Sequence, residues 1–425
     1  MRVLLLATTT GYQTRAFGEA AERLGIELVL ATDRCHMLED PWRDNAIPIR
    51  FYDEQGSAAA VIEAVCARPI DGILVVGDRP TVIAARVAEA LGLPGHPPDA
   101  AGIARNKLLT RNRLRETGLP VPSFFAVPVR ANPEEIASLA SYPSVVKPIS
   151  LSGSRGVIRA DDRASFVAAF ERLRSILALP DIRAERNVAH ETVLVEDFLE
   201  GREYALEGLL HHGSLEVLAI FDKPDPLDGP YFEETLYVTP SSAPVAIQET
   251  IVGAAERVVA SIGLRHGPIH AECRVNENGV FVLEVAARPI GGLCARALRF
   301  HRKNSRQLMS LEELLLRHGL GDSPDLYERE PSPSGVMMIP IPRRGIYRRV
   351  EGLNEARAIN GIDDVQITAK PDQVLIPLPE GASYLGFIFA HGSRLASVEH
   401  ALRAAHVRLQ FTLDSDLPVL QFLHG

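Results

Sequence analysis

The sequence predicts an α/β domain followed by α+β units, and two observations carry this prediction. In the first hundred residues, short apolar runs at 3–7, 27–31 and 72–76 alternate with helical patterns, as in a parallel sheet that is covered by helices on both faces. From residue 122 onward, shorter strands with intervening helices replace this regular alternation. A chain of 425 residues is long enough for several such units, each with its own core.

The N-terminal sheet also predicts where a ligand would bind. Ligands of open parallel sheets sit beyond the carboxyl ends of the strands, which makes the loops at 8–11 and 77–79 candidate binding loops. Neither loop contains the GxGxxG pattern, so dinucleotide binding by this unit is not expected.

Two turn-rich segments divide the chain. Residues 92–98 contain two glycines and three prolines, and residues 322–335 are rich in proline and serine. After the second segment, several apolar runs and one helical pattern predict a small α+β unit. We therefore expect three units, at 1–104, 105–310 and 311–425.

Composition argues against several classes of partner and site. The net charge of -9 disfavours nucleic acid and anionic membranes, because both attract a positive surface. The four cysteines, Cys35, Cys66, Cys273 and Cys294, are far apart and form no CxxC pair, so neither a disulfide framework nor a zinc site is expected. The apolar start is too short for a signal peptide, and no apolar stretch reaches the roughly 20 residues that span a bilayer. We expect a soluble, cytoplasmic protein.

The first chemical motif is a lysine on an apolar strand, Lys147, directly before a Ser/Gly-rich loop at 150–156. Glycines let backbone N–H groups approach phosphate oxygens, and a lysine supplies a positive charge for them. The loop does not match GxxxxGK[ST], so a P-loop is not indicated. Taken alone, the motif is equally typical of an exposed lysine before a hairpin turn.

The second motif is a pair of strands, 269–275 and 280–288, joined by a turn. Strand alternation lets Glu272 and Glu284 project from one face of this hairpin, near each other. Two neighbouring carboxylates need a cation between them, and Mg²⁺ is the usual one where phosphates are bound. Arg288 follows as a candidate for bidentate binding of a phosphoryl or carboxylate group. The alternative is a surface hairpin with two solvated glutamates.

The third motif is an apolar strand at 193–197 that enters an acidic loop and returns as a second strand, which we interpret as a hairpin. Such a loop offers backbone groups to the edge of an adenine and a carboxylate to ribose hydroxyls. As a lone hairpin it is unremarkable, and most such hairpins bind nothing.

Together these motifs resemble the ATP-grasp superfamily, from about Asn106 to Leu298. The resemblance is carried by "NKLLTR", "VVKP" with "SLSGSRGV", "VEDFLEGREY" and "HAECRVNENGVFVLEVAARPIGG". The last segment looks most like the branch of L-amino-acid ligases and carnosine synthases, and the chain from 335 onward is similar, less specifically, to the C-terminal domain of amino-acid ligases. The resemblance implies a Rossmann-like preATP-grasp domain at 1–104, an ATP-grasp domain at 105–310 with a mobile lid at about 122–195, and a C-terminal domain at 311–425.

The resemblance also implies roles for single residues. ATP would be the cosubstrate, Glu272 and Glu284 would hold Mg²⁺ (with Mn²⁺ as the alternative), and Arg288 with Lys147 would act on the reacting groups. The implied nucleotide-binding residues are Lys107 and Lys147 at the phosphates, Ser152, Gly153 and Gly156 in the lid loop, Glu196, Phe198 and Leu199 at adenine, and Glu203 at ribose. Many members carry Asn where this chain has Ala286, which leaves the number of metal ions open.

Further candidates have weaker support. His270, Lys223, Glu233, Gly291 and Gly292 are expected to face substrate, although the charged ones are also typical of solvated loops or a buried core. Two other pairs are interpreted structurally: Cys273 and Cys294 as packed hydrophobes, and His211 with His212 as a hairpin turn that is not a metal site.

The function implied by the resemblance is ATP-dependent joining of a small carboxylate and an amine through an acyl-phosphate, in a protein that is expected to form a homodimer. The alternatives are another ATP-grasp enzyme, such as a carboxylase or a purine-pathway ligase, and an ATP-binding module without catalysis.

Overall fold

The computed structural model of the protein describes residues 1–8, 11–33 and 46–415. Cys35 and part of the candidate loop at 8–11 lie outside these ranges. None of the helices within them combines the length and the apolar character that a membrane-spanning helix needs.

The N-terminal unit contains a four-stranded parallel sheet with the order β3-β2-β1-β4. Its elements are β1 (Arg2–Ala7), α1 (Gly11–Leu24), β2 (Glu27–Asp33), β3 (Ile47–Ile49), α2 (Glu54–Cys66), β4 (Gly72–Val76), α3 (Thr81–Leu91) and α4 (Pro98–Ala104). Residues 3–7 are buried, which explains why β1 reads as a continuous apolar run. The predicted parallel α/β fold is confirmed, and β3 is a strand that was not predicted.

A second, antiparallel sheet has the order β5-β8-β6-β7. It spans the segment that was expected to be a mobile lid, and we call this unit the lid. Helix α5 (Lys107–Glu116) leads into it, and the Asn106 side chain caps that helix by accepting a hydrogen bond from the backbone of Leu109 at 3.0 Å. The lid elements are β5 (Phe124–Pro128), α6 (Pro133–Ile136), β6 (Ser144–Pro148), β7 (Ile158–Ala160), α7 (Arg163–Leu177), α8 (Pro180–Arg183) and β8 (Thr192–Asp197).

The central part of the chain continues with two further groups of elements. The first is β9 (Arg202–His211), β10 (Ser214–Asp222), β11 (Leu236–Thr239), α9 (Val245–Ile262), β12 (Gly267–Asn276) and β13 (Gly279–Ala286). The second is β14 (Arg299–Arg302), β15 (Leu308–Ser310), α10 (Leu311–Gly319) and β16 (Tyr327–Arg329). Helix α10 packs against α1 and β4 and so fastens this part to the N-terminal unit.

The C-terminal part shares its sheet with the central part. Its elements are β17 (Ser334–Ile339), β18 (Gly345–Glu351), α11 (Leu353–Arg357), β19 (Ile362–Ile367), β20 (Val374–Leu375), β21 (Gly386–His391), α12 (Leu395–Arg408) and β22 (Gln410–Asp414). One eight-stranded sheet runs in the order β13-β12-β9-β10-β11-β17-β21-β19, and β20-β18-β22 form a small separate sheet. The C-terminal strands therefore extend the central sheet at the edge opposite the hairpin β12-β13, which carries the metal candidates.

One predicted pairing is wrong. Strands β8 and β9 do not form a hairpin, because β8 pairs with β5 and β6 in the lid whereas β9 pairs with β10 and β12 in the central sheet. Residues 198–201 therefore connect the lid to the central sheet. Both strands are apolar, and their local pattern carries no information about which sheet each one joins.

Candidate active site

A cavity of about 560 Å³ lies where the N-terminal unit, the lid, the central sheet and the C-terminal part meet, a volume typical of small-ligand sites. It brings together most of the residues that the sequence singled out: Lys107, Lys147, Ser152, Gly153, Glu196, Phe198, Leu199, Glu203, His270, Glu272, Glu284, Arg288, Gly291 and Gly292. Of the remaining candidates in the described part of the chain, Gly156, Lys223 and Glu233 do not line this cavity. Glu234, beside Glu233, does.

Glu272 on β12 and Glu284 on β13 are direct cross-strand partners, as strand alternation predicted. Their side chains keep 23% and 29% of their exposure and face the cavity. Two carboxylates on directly paired residues, both open to a cavity that also contains lysines, are suited to binding a divalent cation such as Mg²⁺. Ala286, at the position where the resemblance implies Asn in many members, is buried and pairs with His270 across the sheet.

Lys107 connects the metal-candidate hairpin to the lid. It begins α5, and its Nζ lies 3.3 Å from a carboxylate oxygen of Glu284. The same Nζ donates a hydrogen bond of 2.7 Å to the carbonyl of Leu151 in the lid loop. A phosphate that entered the cavity would therefore meet Lys107 between the lid and the hairpin.

Lys147 is a buried lysine with an ordered partner. Its Nζ lies 2.5 Å from Oε2 of Glu196, and the same carboxylate accepts hydrogen bonds from the guanidinium of Arg111 on Oε1 at 2.7 Å and on Oε2 at 3.4 Å. Burial lowers the pKa of Lys147 to about 8, although Glu196 opposes this shift. Arg111 is fully buried and was missed as a site residue, although it is the last residue of the motif "NKLLTR".

Lys223 lies behind the cavity wall with three carboxylates around its buried ammonium group, from Glu203, Glu234 and Glu272. The distances from Nζ to the carboxylate oxygens are 2.8, 2.5 and 3.1 Å, in that order. Burial alone would lower the pKa of Lys223, but the three carboxylates raise it well above its ordinary value. These three carboxylates are therefore not a metal site of their own, because a fixed positive charge already occupies their centre.

Glu203 uses both of its carboxylate oxygens within the protein. One oxygen faces Lys223, and the other accepts a hydrogen bond of 3.0 Å from the guanidinium of Arg274. Arg274 also donates to the carbonyl of Leu199, at 2.5 Å. The Phe198 backbone N–H donates to the carbonyl of Pro143 at 2.9 Å. The loop implied to bind adenine is thus held in place by an arginine that the sequence analysis did not identify.

His270 is a cationic group at the edge of the cavity. Its Nδ1 lies 3.1 Å from the buried carboxylate of Glu207, and its Nε2 lies 3.5 Å from Glu272. Burial lowers the pKa of His270, but these two carboxylates raise it more strongly, to about 9. The backbone N–H of Ile290 donates to Glu207 at 3.0 Å. His270 is therefore both buried and part of the cavity wall, which combines the two interpretations that its sequence position allowed.

Arg288 is held by the N-terminal unit. Its guanidinium donates two hydrogen bonds to Asp78, at 2.8 and 3.1 Å. Asp78 belongs to the loop after β4, one of the two loops in which the sequence predicted a ligand. Gly292 follows with a φ of +62°, and a Cβ there would lie 3.1 Å from the Phe387 ring, so a side chain would crowd this end of the cavity.

The lid loop packs against the C-terminal part. The Gly156 N–H donates to the carbonyl of Pro379 at 2.9 Å, and Arg155 Nε donates to the carbonyl of Glu380 at 2.7 Å. Gly156 has a φ of +74° and faces Leu173 rather than the cavity. C-terminal residues including Ser383 and Tyr384 line the cavity, a contribution that the sequence could not assign.

The two cysteines expected to be packed hydrophobes, Cys273 and Cys294, are buried free thiols, and burial raises the pKa of Cys273 to about 12. Cys66 is a free, exposed thiol. Neither buried thiol would be a thiolate nucleophile near neutral pH.

Three domain families match the chain. They are the ATP-grasp N-terminal domain at 18–95, the ATP-grasp domain at 140–297 and the L-amino acid ligase C-terminal domain 2 at 337–414. Together the matched segments cover more than half of the chain.

Similar whole proteins were also found. Uncharacterized protein y4rH of Sinorhizobium fredii is 23% identical, over 98% of this chain and 84% of its own length. Carnosine synthase 1 of Gallus gallus is 28% identical over 71% of this chain, which spans only 34% of that larger protein. The crystal structure of an L-amino acid ligase from Bacillus licheniformis superposes with a TM-score of 0.77 at 24% identity, covering 98% of this chain and 99% of that one.

The order of the three matched domains and this agreement in fold lead to one assignment. The chain belongs to the ATP-grasp superfamily of enzymes, and its C-terminal segment matches the C-terminal domain 2 of the L-amino acid ligases.

Proposed function

We propose that the protein joins a small carboxylate to an amine at the expense of ATP, through an acyl-phosphate, with release of ADP and phosphate. The observation that carries the proposal is the placement of Glu272 and Glu284 side by side in a cavity that also contains Lys107 and Lys147. Carboxylates that hold a cation, opposite lysines that contact phosphates, are the groups that phosphoryl transfer requires. A dipeptide or an amino-acid amide is the proposed product.

Glu272 and Glu284 fit a Mg²⁺ ion, with Mn²⁺ as the alternative, because their side chains are carboxylates, are adjacent and remain partly open to the cavity. When bound, the ion supplies positive charge to the phosphoryl oxygens. Lys107 now pairs with Glu284 at 3.3 Å. A triphosphate would compete for Lys107 and so release that carboxylate for the cation.

The chain's own residues carry the rest of the proposed chemistry. Lys147 and Lys107 neutralise charge on the phosphates while a substrate carboxylate oxygen attacks the γ-phosphorus and the bond to ADP breaks. Arg288, which Asp78 orients, steadies the acyl-phosphate and the tetrahedral intermediate. The amine then attacks the acyl carbon, phosphate leaves, and the amine loses a proton to form the amide.

We propose that Glu196 acts on the nucleotide through Lys147 and not by direct contact with adenine. Its carboxylate already pairs with Lys147 and Arg111, and separating a buried charge from its partners costs free energy. Lys223 and Arg274 hold the two oxygens of Glu203, and we propose that one of these oxygens accepts a ribose hydroxyl with its remaining lone pair. Phe198 and Leu199 remain the proposed adenine contacts, because both line the cavity.

The lid has a chemical purpose in this scheme. An acyl-phosphate hydrolyses in water, so a closed cavity protects it until the amine arrives. Contacts of the loop at 150–156 with Pro379 and Glu380 hold the lid against the C-terminal part. Ser152 and Gly153 then cover the proposed phosphate site.

The discriminating experiment measures phosphate release from Mg-ATP with a panel of amino-acid pairs, followed by mass spectrometry of the products. Ligation predicts release that requires two substrates and a product mass equal to their sum minus water. Release that requires bicarbonate instead would indicate a carboxylase, and release with a ribonucleotide amine would indicate a purine-pathway ligase. Tight ATP binding without turnover for any pair would indicate a module without catalysis. Sedimentation of the same sample tests the expected homodimer.

A further inference from the structure

Four histidines from three separate segments meet at the end of the central sheet that lies away from the cavity. His211 ends β9, His212 follows in the turn, His266 precedes β12, and His318 lies in the last turn of α10. The register of β9 and β12 pairs Leu210 with Gly267, which sets His211 beside His266. The turn at 211–213 is the predicted hairpin turn. A metal site was not expected there, because His266 and His318 lie more than fifty residues further along the chain, beyond the reach of any local pattern.

The rings are in close mutual contact. The ring centroids of His266 and His318 are 4.3 Å apart, and that of His211 lies 5.3 and 5.5 Å from these two. One ligand nitrogen from each of these three residues, which we call the histidine cluster, lies within 4.8 Å of the others. His212 stands at the exposed side, with its ring 4.5 Å from that of His211.

The cluster contains buried ring nitrogens without partners. His266 and His318 are only 7% and 2% exposed. Within the described ranges, His211 Nδ1, His266 Nδ1 and His318 Nε2 have no hydrogen-bond partner. A buried polar atom without a partner has lost its hydrogen bond to water and gained none in return, so three at one point call for a common ligand. The nearby His96 differs, because both of its ring nitrogens contact backbone groups of Pro268 and Arg265.

The chemistry of these nitrogens indicates what the ligand is. Neutral imidazole carries one lone pair, which binds a borderline transition metal well and an alkaline-earth ion poorly. His266 and His318 are both buried, which favours the neutral form of each ring. Neutral rings provide no positive charge for an anion, whereas three converging lone pairs can bind a cation.

We propose that His211, His266 and His318 bind one transition-metal ion of the Zn²⁺ type. Zinc bonds of about 2.0–2.1 Å to imidazole place the ligand nitrogens about 3.4 Å apart, so the rings must close by roughly 1.4 Å from their upper separation here. A cavity of about 40 Å³, lined by His266 and His318, adjoins the cluster and leaves room for this movement.

The position of the histidine cluster indicates a structural role for the ion. His211 and His266 belong to the central sheet, whereas α10, which carries His318, packs against α1 and β4 of the N-terminal unit. An ion bound by all three ties these two layers together. His270, which lines the cavity, follows His266 by four positions along β12, so the ion would lie roughly 13 Å from the cavity wall, too far to take part in the reaction. This inference is independent of the proposed ligase activity.

The test is a titration of the tag-free, EDTA-treated protein with Co²⁺, followed by visible absorption. Nitrogen-rich sites of low coordination number absorb strongly, whereas a six-coordinate carboxylate site absorbs weakly, so the cavity does not interfere. We expect one equivalent to bind with strong absorption that Zn²⁺ abolishes, and one equivalent of Zn²⁺ to raise the melting temperature. His318→Ala and His266→Ala should weaken Co²⁺ binding at least about 100-fold, since even outer-shell partners cost 10–100-fold.

Matched variants decide between the ion and simple ring packing. His400→Ala, at an exposed histidine on α12, should leave the absorption unchanged. His318→Gln keeps the size of the side chain, and ATP binding by each variant shows that the cavity is still folded. Sub-stoichiometric binding by the parent protein, or equal Co²⁺ binding by His318→Gln and the parent, would overturn the proposal and leave a packed or water-filled cluster.

Discussion

Arg288 and Asp78 form a bidentate ion pair across 210 residues of sequence, with nitrogen–oxygen distances of 2.8 and 3.1 Å. Asp78 follows a strand of the N-terminal sheet, whereas Arg288 follows a strand of the central sheet. Burial would raise the pKa of Asp78, but Arg288 lowers it below its ordinary value. The carboxylate is therefore ionised at neutral pH, and the N-terminal unit orients a group of the candidate active site.

Replacing Arg288 by alanine should reduce kcat much more than ATP affinity, because we propose that the guanidinium contacts the reacting acyl group and not the nucleotide. Loss of one such charged contact costs roughly 100-fold or more in kcat. Steady-state kinetics together with ATP titration by calorimetry separate the two effects. Arg288→Lys keeps the charge but not the bidentate fork, and it should recover only a small part of the rate. A loss confined to ATP affinity would reassign Arg288 to nucleotide binding.

The Asp78→Asn variant tests the same ion pair by changing the carboxylate that holds Arg288. The amide has the size of the carboxylate but no charge, so Arg288 loses its anchor, and we expect kcat to fall about tenfold with ATP affinity nearly unchanged. Because Asp78 acts through Arg288, the Asp78→Asn/Arg288→Ala double variant should be no slower than Arg288→Ala alone. Additive losses would mean that Asp78 has its own contact with substrate.

Glu284→Gln should abolish turnover and leave the fold intact, because a neutral amide is a poor ligand for Mg²⁺ while the side-chain volume is kept. We expect a loss of at least about 100-fold, beyond the cost of a supporting residue. The matched control is Glu277→Gln, an exposed carboxylate in the turn of the same hairpin, which should keep full activity. Circular dichroism checks the fold of both. An active Glu284→Gln protein would show that the metal site lies elsewhere.

Local patterns predicted the parts of this site that local geometry determines. Alternation along two strands and a short turn between them sufficed to bring Glu272 next to Glu284. The same reasoning could not pair Lys147 with Arg111 through Glu196, because that contact depends on how α5 packs against the lid sheet. It also joined β8 to β9 incorrectly, since two buried apolar strands look alike whichever sheet they enter.

The ion-pair partners of the site residues were the contacts hardest to predict from the sequence. Glu203 was expected to be free for ribose, but Lys223 and Arg274 converge on it from positions 20 and 71 residues away. The C-terminal wall of the cavity was missed for a similar reason. In the sequence, the C-terminal strands resemble an independent small unit. In the structure, β17 pairs with β11 and so joins them to the central sheet.

The Arg172–Glu380 pair offers a test of the lid. Two hydrogen bonds of 2.6 and 3.0 Å join a lid helix to the C-terminal part, but both side chains are more than 30% exposed, so the pair contributes only about 0.5–1 kcal/mol. Glu380→Gln should therefore increase the open fraction of the lid about two- to fivefold and raise ADP formation per amide formed. The melting temperature should hardly change. An unchanged ratio of ADP formed to amide formed would mean that the backbone contacts alone hold the lid.

The low pKa of Lys147 predicts how ATP binding depends on pH. Burial lowers this pKa to about 8 in the ATP-free protein, and a triphosphate favours the charged ammonium form. Below pH 8 the lysine is already charged, so affinity should not depend on its titration. Above pH 8 binding requires uptake of a proton, and affinity should fall by up to about tenfold per pH unit.

Calorimetry with Mg-ATP between about pH 7.5 and 9.5, in buffers of different ionisation enthalpy, measures both the affinity and the proton uptake. Lys147→Arg remains charged throughout this range and should flatten the profile. An equally steep profile for this variant would assign the titration to another group.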